Sequence, residues 1–249
     1  MKKRIHCAVF AAAMLAAFFL CISCGNTDNE TEELIRQGTE YFYLGDDDRA
    51  IEEFTKAIKR SPRNADAYHG RGRAYGMKGD YIQALTDLSE AIRLNPGHAD
   101  AFSSRGGLFI FIGDYNSAIT DCDEAIRLNP EHADAFYNRG RAYLIMDDYD
   151  NAIRDFTQTI NINPGDTGAY YNRGIAYFNR GHPDQANVDF NEAIWLSPEY
   201  ADAYFRRGLV YHYFEEYETA IMDFEAALLY DSGHIEALSY LEQALQNIQ

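Results

Sequence analysis

The chain has 249 residues, a formal net charge of −17 and a hydrophobic content of 47%. Its length and hydrophobic content are sufficient for a substantial buried core. The negative charge argues against nucleic acid as the main partner, because neutralising phosphate groups requires clustered Lys and Arg side chains.

The N-terminal segment has the pattern of a targeting sequence. A basic start at residues 1–4 precedes a run at residues 5–22 that is almost entirely apolar and carries no charge. Small residues then flank Cys24. This arrangement resembles the lipobox of bacterial lipoproteins. The resemblance implies a lipoprotein-type signal peptide at residues 1–23, which is cleaved so that Cys24 becomes the site of lipid attachment.

Two alternatives remain open for this segment. Cys21 stands where such signals usually have Leu, so ordinary signal-peptide cleavage is one of them. The apolar run also approaches the length that spans a bilayer, which would make it an uncleaved anchor. In the lipoprotein case the chain is lipid-anchored in the bacterial cell envelope, on a periplasmic or surface face, and either membrane is possible.

Residues 24–30 are predicted to be the lipidated cysteine and a short polar tether. Six extended residues reach at most about 20 Å, so the tether would hold the folded part close to its membrane. Cleavage before Cys24 would remove three positive charges and no negative ones, which takes the net charge from −17 to −20.

A unit of 34 residues recurs six times without an insertion. The copies are residues 31–64, 65–98, 99–132, 133–166, 167–200 and 201–234. With positions numbered 1–34 inside each repeat, position 8 is always Gly, position 11 is always aromatic and position 20 is always Ala. A fixed period of this length predicts a repeat architecture.

Each repeat is predicted to form two helices joined by two turns. Positions 4, 7, 8, 11 and 15 follow helical spacing, as do positions 17, 20, 21, 24, 27 and 28. Gly-Asp at positions 15–16, such as Gly79-Asp80, ends the first helix, and Asn-Pro at positions 31–32, such as Asn95-Pro96, ends the second. Because Gly inside a helix costs about 1 kcal/mol relative to Ala, position 8 predicts a close approach, most simply to the Ala at position 20.

The repeat resembles a known family. The aromatic residue at position 4, Gly at 8, Tyr at 11, Ala at 20, Phe at 24, Ala at 27 and Pro at 32 resemble the tetratricopeptide repeat, or TPR. The resemblance implies an all-α, right-handed superhelical solenoid of six helix-turn-helix hairpins over residues 31–234. Residues 235–249 are predicted to be a C-terminal capping helix, because Leu238, Leu241, Leu245 and Ile248 form an apolar stripe that would cover the last hairpin.

The sequence contains no recognisable catalytic or cofactor motif. It has no nucleophile elbow, phosphate loop, CxxC pair or HExxH, so we expect neither an enzyme nor a cofactor. His98, His132 and His234 share position 34, but they fall in separate turns, and we do not expect them to bind metal. Cys122 takes the place that Phe holds in other repeats, which predicts a buried apolar thiol.

Arginine at position 7 is predicted to form structural ion pairs. This position lies on the stripe that packs against the second helix, and a buried charge needs a partner. Five repeats also have Asp at position 23. The predicted pairs, which would fix the register of the two helices, are Arg71–Asp87, Arg105–Asp121, Arg139–Asp155, Arg173–Asp189 and Arg207–Asp223.

The opposite face of each first helix is the candidate binding surface. At about 100° per residue, positions 2, 5, 6, 9, 12 and 13 point away from the hairpin partner, and the TPR resemblance implies that they line a concave groove for extended peptides. Apart from the acids at position 2, this face lacks Asp and Glu. The candidate groove residues are Arg36, Phe42, Arg73, Phe111, Tyr137, Asn138, Arg141, Tyr171, Asn172, Phe178, Phe205 and Arg206.

These features predict a non-enzymatic, membrane-anchored TPR scaffold whose groove binds another protein. Arginines without acidic partners attract carboxylates, so the expected ligand is an acidic or carboxylate-ended segment. One alternative is that the aromatic residues only pack against neighbouring repeats. Another is a self-assembling envelope protein whose aromatic face binds further copies, so the oligomeric state is open. A clamp for chaperone C-termini is disfavoured, because the paired lysines of such TPR proteins are missing.

Overall fold

The computed structural model describes residues 29–248. The predicted signal peptide and Cys24 lie outside the described residues. Within the described range the regular structure is thirteen α-helices, with no β-strand. The helices are α1 (29–43), α2 (Asp47–Arg60), α3 (Ala65–Lys78), α4 (Tyr81–Leu94), α5 (Ala99–Phe111), α6 (Tyr115–Leu128), α7 (Ala133–Ile145), α8 (Tyr149–Ile162), α9 (Thr167–Asn179), α10 (Pro183–Leu196), α11 (Ala201–Tyr213), α12 (Tyr217–Tyr230) and α13 (Ile235–Asn247).

The chain divides into two compact parts. The N-terminal part ends at Leu108 and the C-terminal part begins at Phe109. We call the first helix of each repeat the A helix and the second the B helix. In the N-terminal part α3 packs against α2 and α4, and in the C-terminal part each helix from α6 to α13 packs against the next. Successive A helices in the C-terminal part also contact each other, as α7 with α9 and α9 with α11. This sequential packing confirms the predicted stacked hairpins.

The turn inside each hairpin falls where the sequence predicted it. Gly79, at position 15, has a φ of +83°, and its N–H bonds to carbonyls of the last turn of α3. In the fourth and sixth repeats the same left-handed conformation is taken by Asp147 (φ +58°) and Glu215 (φ +62°), which a side chain makes less favourable. In the first, third and fourth repeats the following Asp caps the B helix, as Asp114 accepts a hydrogen bond from the Ser117 N–H.

The glycine at position 8 faces the side chain at position 24. A Cβ added to Gly174 would lie 2.7 Å from the ring of Phe190, and one added to Gly140 would lie 2.9 Å from the ring of Phe156. The expectation that the Ala at position 20 is the close neighbour is therefore wrong. The ring, one helical turn further along the B helix, reaches across the gap and fills the space that a Cβ would need.

The core is otherwise built from small residues and fully buried rings. Phe54, Phe156, Phe190 and Phe224 are almost completely buried. Cys122 replaces them in the third repeat and is also fully buried, which confirms the prediction for this residue. Burial raises the pKa of the Cys122 thiol to about 12, so this group is not a reactive thiolate at neutral pH.

The predicted Arg–Asp pairs form within each part. Nε and Nη2 of the arginine donate to both carboxylate oxygens of the aspartate at 2.6–2.9 Å. These bidentate pairs are Arg71–Asp87, Arg139–Asp155, Arg173–Asp189 and Arg207–Asp223. Arg105 and Asp121 lie in different parts of the chain. The four paired aspartates are buried, so the prediction of a structural role is confirmed for these pairs.

The same arginines also contact the preceding repeat. Their Nη1 groups donate to a polar side chain sixteen residues earlier, on the B helix of that repeat. The acceptors for Arg71, Arg105, Arg139, Arg173 and Arg207 are Thr55, Ser89, Asp123, Thr157 and Asn191. The four arginines with a bidentate aspartate pair therefore each join two successive repeats as well as the two helices of one hairpin.

The last helix, α13, packs through a different face from the predicted one. Ala237 and Ala244 are fully buried, with Leu241 partly buried beside them. Leu238 and Leu245 are 49% and 40% exposed, so most of the predicted covering stripe faces away from the hairpin. The reason is that α13 packs like α3, α7 and α9, through buried alanines at positions 3 and 10 of the repeat.

Candidate functional site

The candidate groove residues lie on the A helices. In the N-terminal part they come from α1 and α3, and in the C-terminal part from α7, α9 and α11 together with the last residue of α5. Their side chains differ in exposure and in partners, and these differences decide which of them a ligand can reach.

Arg36, on α1, is occupied by acids of its own helix. Its Nε and Nη2 donate to Glu33 at 2.9 and 2.7 Å, and Nη1 donates to Glu40 at 3.2 Å. The hydrogen bonds to Arg36 and Gln37 lower the pKa of the Glu33 carboxyl to about 2. The expectation of an arginine without acidic partners is therefore not met at Arg36.

Arg73 and Phe42 line a small cleft between α1 and α3. The Arg73 guanidinium carbon lies 4.4 Å from the centre of the Phe42 ring, a cation–π arrangement. The cleft has a volume of about 120 Å³, and Asp66 and His69 also line it. An acid is thus present in this cleft, and a carboxylate ligand would meet repulsion as well as attraction there.

In the C-terminal part, Arg141 lies between two aromatic rings. Its guanidinium carbon is 5.6 Å from the Phe111 ring centre and 5.9 Å from that of Tyr137. Phe111 is 67% exposed, so one wall of this arrangement is open to solvent. Arg141 makes no ion pair with any described residue, and its N–H groups are available to a ligand.

Positions 5 and 6 of successive repeats contact each other along this face. Asn172 donates from Nδ2 to the Tyr137 hydroxyl at 3.1 Å and to the Gly168 carbonyl at 2.8 Å. The nearby Arg206 opposes the upward shift that burial causes in the pKa of the Tyr171 phenol. Burial likewise raises the pKa of the Tyr137 phenol.

This contact also occurs in the N-terminal part and has a simple sequence signal. His69 Nε2 lies 2.9 Å from the Ser104 hydroxyl, again 35 residues apart. A spacing of one repeat plus one residue between polar side chains would have identified these contacts, and the sequence reasoning missed it. Tyr137, Tyr171 and Asn172 are therefore partly occupied by neighbouring repeats.

The remaining candidates differ in accessibility. Asn138 and Phe178 are partly exposed, and the Phe178 ring lies edge-on to Tyr213 at 6.1 Å. Phe205 is only 6% exposed, because it packs against Phe224 of its own hairpin and Tyr240 of α13. The capping helix thus removes Phe205 from the surface that a ligand could contact.

Arg206 stands beside this buried ring. Its Nε–H is buried without a hydrogen-bond partner among the described residues, and the side chain makes no ion pair with them. A guanidinium that is partly desolvated and has an unused donor favours a negatively charged or carbonyl oxygen. The C-terminal part therefore has two arginines on the candidate groove face, Arg141 and Arg206, that make no ion pair with the described residues.

The recurring histidines have a local structural role. His132 and His234 accept hydrogen bonds at Nδ1 from the backbone N–H three residues later, at 3.3 and 3.2 Å, and so cap α7 and α13. His234 Nε2 lies 3.4 Å from Asp202 Oδ1 at the start of the same repeat. Within residues 29–248 no group of three or more His, Cys, Asp or Glu side chains could hold a metal ion. The helices of this range include none that is long and apolar enough to cross a membrane.

Comparisons with known proteins place this all-α repeat architecture in a family. A profile described as TPR repeat matches residues 38–79 and 112–147, and two described as tetratricopeptide repeat match residues 65–98, 133–166 and 171–234. The solved structure of MamA is 30% identical over 70% of this chain and 96% of its own, with a TM-score of 0.56. The chain belongs to the tetratricopeptide repeat family, and its fold is that of a protein–protein interaction scaffold.

Two other solved structures extend the comparison. YrrB, a TPR protein with an unusual peptide-binding site, is 26% identical over 75% of this chain and 96% of its own, with a TM-score of 0.61. A chain of the APC/C hetero-tetramer Cut9–Hcn1 has a TM-score of 0.79 at 20% identity, over 87% of this chain and 43% of that one. The present chain thus spans less than half of that relative, which shares the fold alone. No curated protein sequence matches this chain.

Proposed function

We propose that this protein is a non-enzymatic scaffold that binds an extended, acidic or carboxylate-ended segment of another protein. The binding surface is the A-helix face of the C-terminal part. The observation that carries the proposal is the pair of arginines, Arg141 and Arg206, that have no acidic partner among the described residues of a chain with net charge −17. Because the guanidinium groups of these arginines have no carboxylate partner within the described chain, they attract a ligand that carries carboxylates.

The energetics support a ligand of this chemistry. A hydrogen bond to a charged group contributes about 1.5–3 kcal/mol, and more than one N–H of each guanidinium can take part. The exposed ring of Phe111 and the partly exposed ring of Phe178 offer apolar anchors for side chains of the ligand. The family resemblance to YrrB, which has a peptide-binding site, supports the choice of a peptide.

A direct test uses labelled peptides and charge-reversal variants. The probe is a fluorescent peptide rich in Asp and Glu with a free C-terminal carboxylate, compared with its amidated form and with a Lys-rich peptide. Arg141→Glu is expected to weaken binding of the acidic probe at least tenfold, about 1.4 kcal/mol. The matched control is Arg154→Glu, because Arg154 is exposed on the B helix α8 and the change in net charge is the same.

The salt dependence gives a second criterion. Screening shortens the range of charge attraction, so the affinity for the acidic probe is expected to fall as salt rises. If Arg141→Glu and Arg154→Glu weaken binding equally, the effect comes from net charge and the face assignment fails. If the Lys-rich peptide binds as well as the acidic one, the ligand chemistry is wrong.

The same proposal places the protein on a membrane of the bacterial cell envelope through a lipid on Cys24. The support is the basic start, the apolar run and the small residues around Cys24 in the sequence. Cys24→Ala is expected to leave an unprocessed precursor and to abolish metabolic labelling with fatty acid. Cys21→Ala is the control and keeps the labelling. Labelling that persists in Cys24→Ala, or a mature N-terminus elsewhere, would disprove the lipid attachment.

A further inference from the structure

An apolar stripe lies on the outer face of α13. Ile235, Leu238, Leu245 and Ile248 are 78%, 49%, 40% and 45% exposed, although they recur at helical spacing. The described residues cover them only in part. This stripe therefore calls for a covering partner.

A further hairpin helix of the same kind does not fit this face. In the other A helices the equivalent stripe is covered by a B helix, whose side chain at position 24 approaches the Gly at position 8. In five repeats a Cβ added to that Gly would lie 2.6–3.0 Å from the position-24 side chain. In α13 position 8 is Glu242, whose side chain occupies the space that a B-helix ring needs.

The stripe is complementary to itself. Ile235 lies six residues before Leu241, and Ile248 lies six residues after Glu242. In the same way, Leu238 lies three residues before Leu241, and Leu245 lies three residues after Glu242. Reading the stripe from either end thus gives the same order of side chains. Two such helices placed antiparallel bring Leu238 against Leu245, with Ile235 and Ile248 of the two copies at the same level on either side of this contact, which is an arrangement that a two-fold interface allows.

We propose that α13 is a homodimerisation surface, and that it pairs antiparallel with α13 of a second copy about a two-fold axis near Leu241 and Glu242. This inference is independent of the peptide-binding face. A helix of thirteen residues is about 20 Å long, and one helix pair buries less than the roughly 1,200 Å² of stable complexes. The dimer is therefore weak, with a dissociation constant on the order of ten micromolar or above.

Charge gives the dimer a salt dependence opposite to that of peptide binding. Glu242 of each copy lies close to the proposed axis, so the two carboxylates repel each other. Salt screens this repulsion and also strengthens apolar burial when a kosmotropic anion such as sulfate is used. The dimer is expected to strengthen as sulfate rises, under conditions that weaken an acidic peptide on the A-helix face.

Disulfide cross-linking tests the antiparallel register. The full chain carries Cys7→Ser, Cys21→Ser and Cys24→Ser in mild detergent, and Cys122 stays because it is fully buried. Leu238→Cys is mixed with a size-tagged Leu245→Cys variant. In the antiparallel pair these two cysteines face each other, whereas two copies of residue 238 are about 10 Å apart along the axis, beyond disulfide reach. The mixed cross-link should exceed each homodimer cross-link at least about fivefold.

Substitution by a charge tests the surface itself. Leu238→Glu is expected to leave a monomer at about 100 µM, where the unmodified chain is partly dimeric by sedimentation equilibrium. The control is Leu229→Glu, on the exposed face of α12, which should keep the dimer. Circular dichroism checks that both variants fold. A monomeric parent chain, equal loss in both variants, or preferential cross-linking of Leu238→Cys to itself would overturn the proposal. Peptide affinity is measured on the same variants, so the two proposals fail separately.

Discussion

Two arginines two residues apart on α7 have opposite roles. Arg139 points into the hairpin, where it holds Asp155 through two hydrogen bonds of 2.7 Å and also contacts Asp123. Arg141 points to the open face, where it lies between Phe111 and Tyr137 and has no carboxylate partner among the described residues. The same contrast separates Arg207 from its neighbour Arg206 on α11.

This difference shows that position within the repeat decides what an arginine does. An arginine at position 7 is matched by an aspartate in its own repeat, so the pair is neutral overall and contributes to packing. An arginine at position 6 or 9 of the C-terminal part has no such match, so its charge is available to a ligand. Removing one of each kind separates the two roles.

The largest effect is expected from breaking a buried pair. Arg139→Ala leaves the carboxylate of Asp155 buried without its main partner, and should lower the free energy of unfolding by about 3 kcal/mol. Arg141→Ala removes a side chain that has no ion pair, and should change the free energy of unfolding by less than about 0.5 kcal/mol. Urea denaturation followed by circular dichroism measures both. Equal destabilisation would show that Arg141 is also structural.

A smaller effect is expected from filling the space beneath a buried ring. Gly174→Ala places a Cβ where the ring of Phe190 now lies at 2.7 Å, and this overpacking outweighs the gain in helix propensity. The expected loss in unfolding free energy is about 2 kcal/mol. Gly165→Ala is the control, because its nearest neighbour would be at 3.7 Å in an exposed turn. A neutral Gly174→Ala would show that the ring moves at little cost.

Much of the hairpin interior could be predicted from the sequence, because the same contacts recur in most repeats. The helix ends follow from Gly-Asp and Asn-Pro, and the Arg139–Asp155 type of pair follows from two charged positions that both lie on packed stripes. Periodicity within one helix specifies which face points to the hairpin partner. It does not specify which atoms of that partner come closest, so Phe190 and not the Ala at position 20 was found over Gly174.

The open face was harder to predict, because its neighbours come from other repeats or from the same helix. Arg36 lies at the predicted angle, yet Glu33 and Glu40 hold it from adjacent turns. Phe205 also lies at the predicted angle, but α13 covers it. The angle of a side chain around its own helix axis therefore does not determine exposure where another helix packs over the same face.

The smallest expected effect is a pH dependence of the free energy of unfolding, through a histidine of the N-terminal part. It tests whether a candidate open-face position of that part is buried. His69 lies at position 5, a candidate open-face position, but it packs against His98 with ring centres 4.7 Å apart and contacts the Ser104 hydroxyl. Burial, together with the nearby His98 and Arg73, lowers the pKa of His69 to about 3, although the nearby Asp100 opposes this shift.

The sign of the pH effect follows from this lowered pKa. The unfolded chain binds a proton at His69 near pH 6.5, and the folded chain does so only near pH 3, so acidification stabilises the unfolded state. The free energy of unfolding should therefore fall by about 1 kcal/mol between pH 7 and pH 5.5 through this residue. The His69→Asn variant keeps a polar partner for Ser104, but its asparagine does not titrate. Its free energy of unfolding should therefore fall by about 1 kcal/mol less than that of the unmodified chain between pH 7 and pH 5.5. If both proteins lose stability equally, His69 is protonated in the folded state, and position 5 of the N-terminal part is as open to solvent as Arg141 is in the C-terminal part.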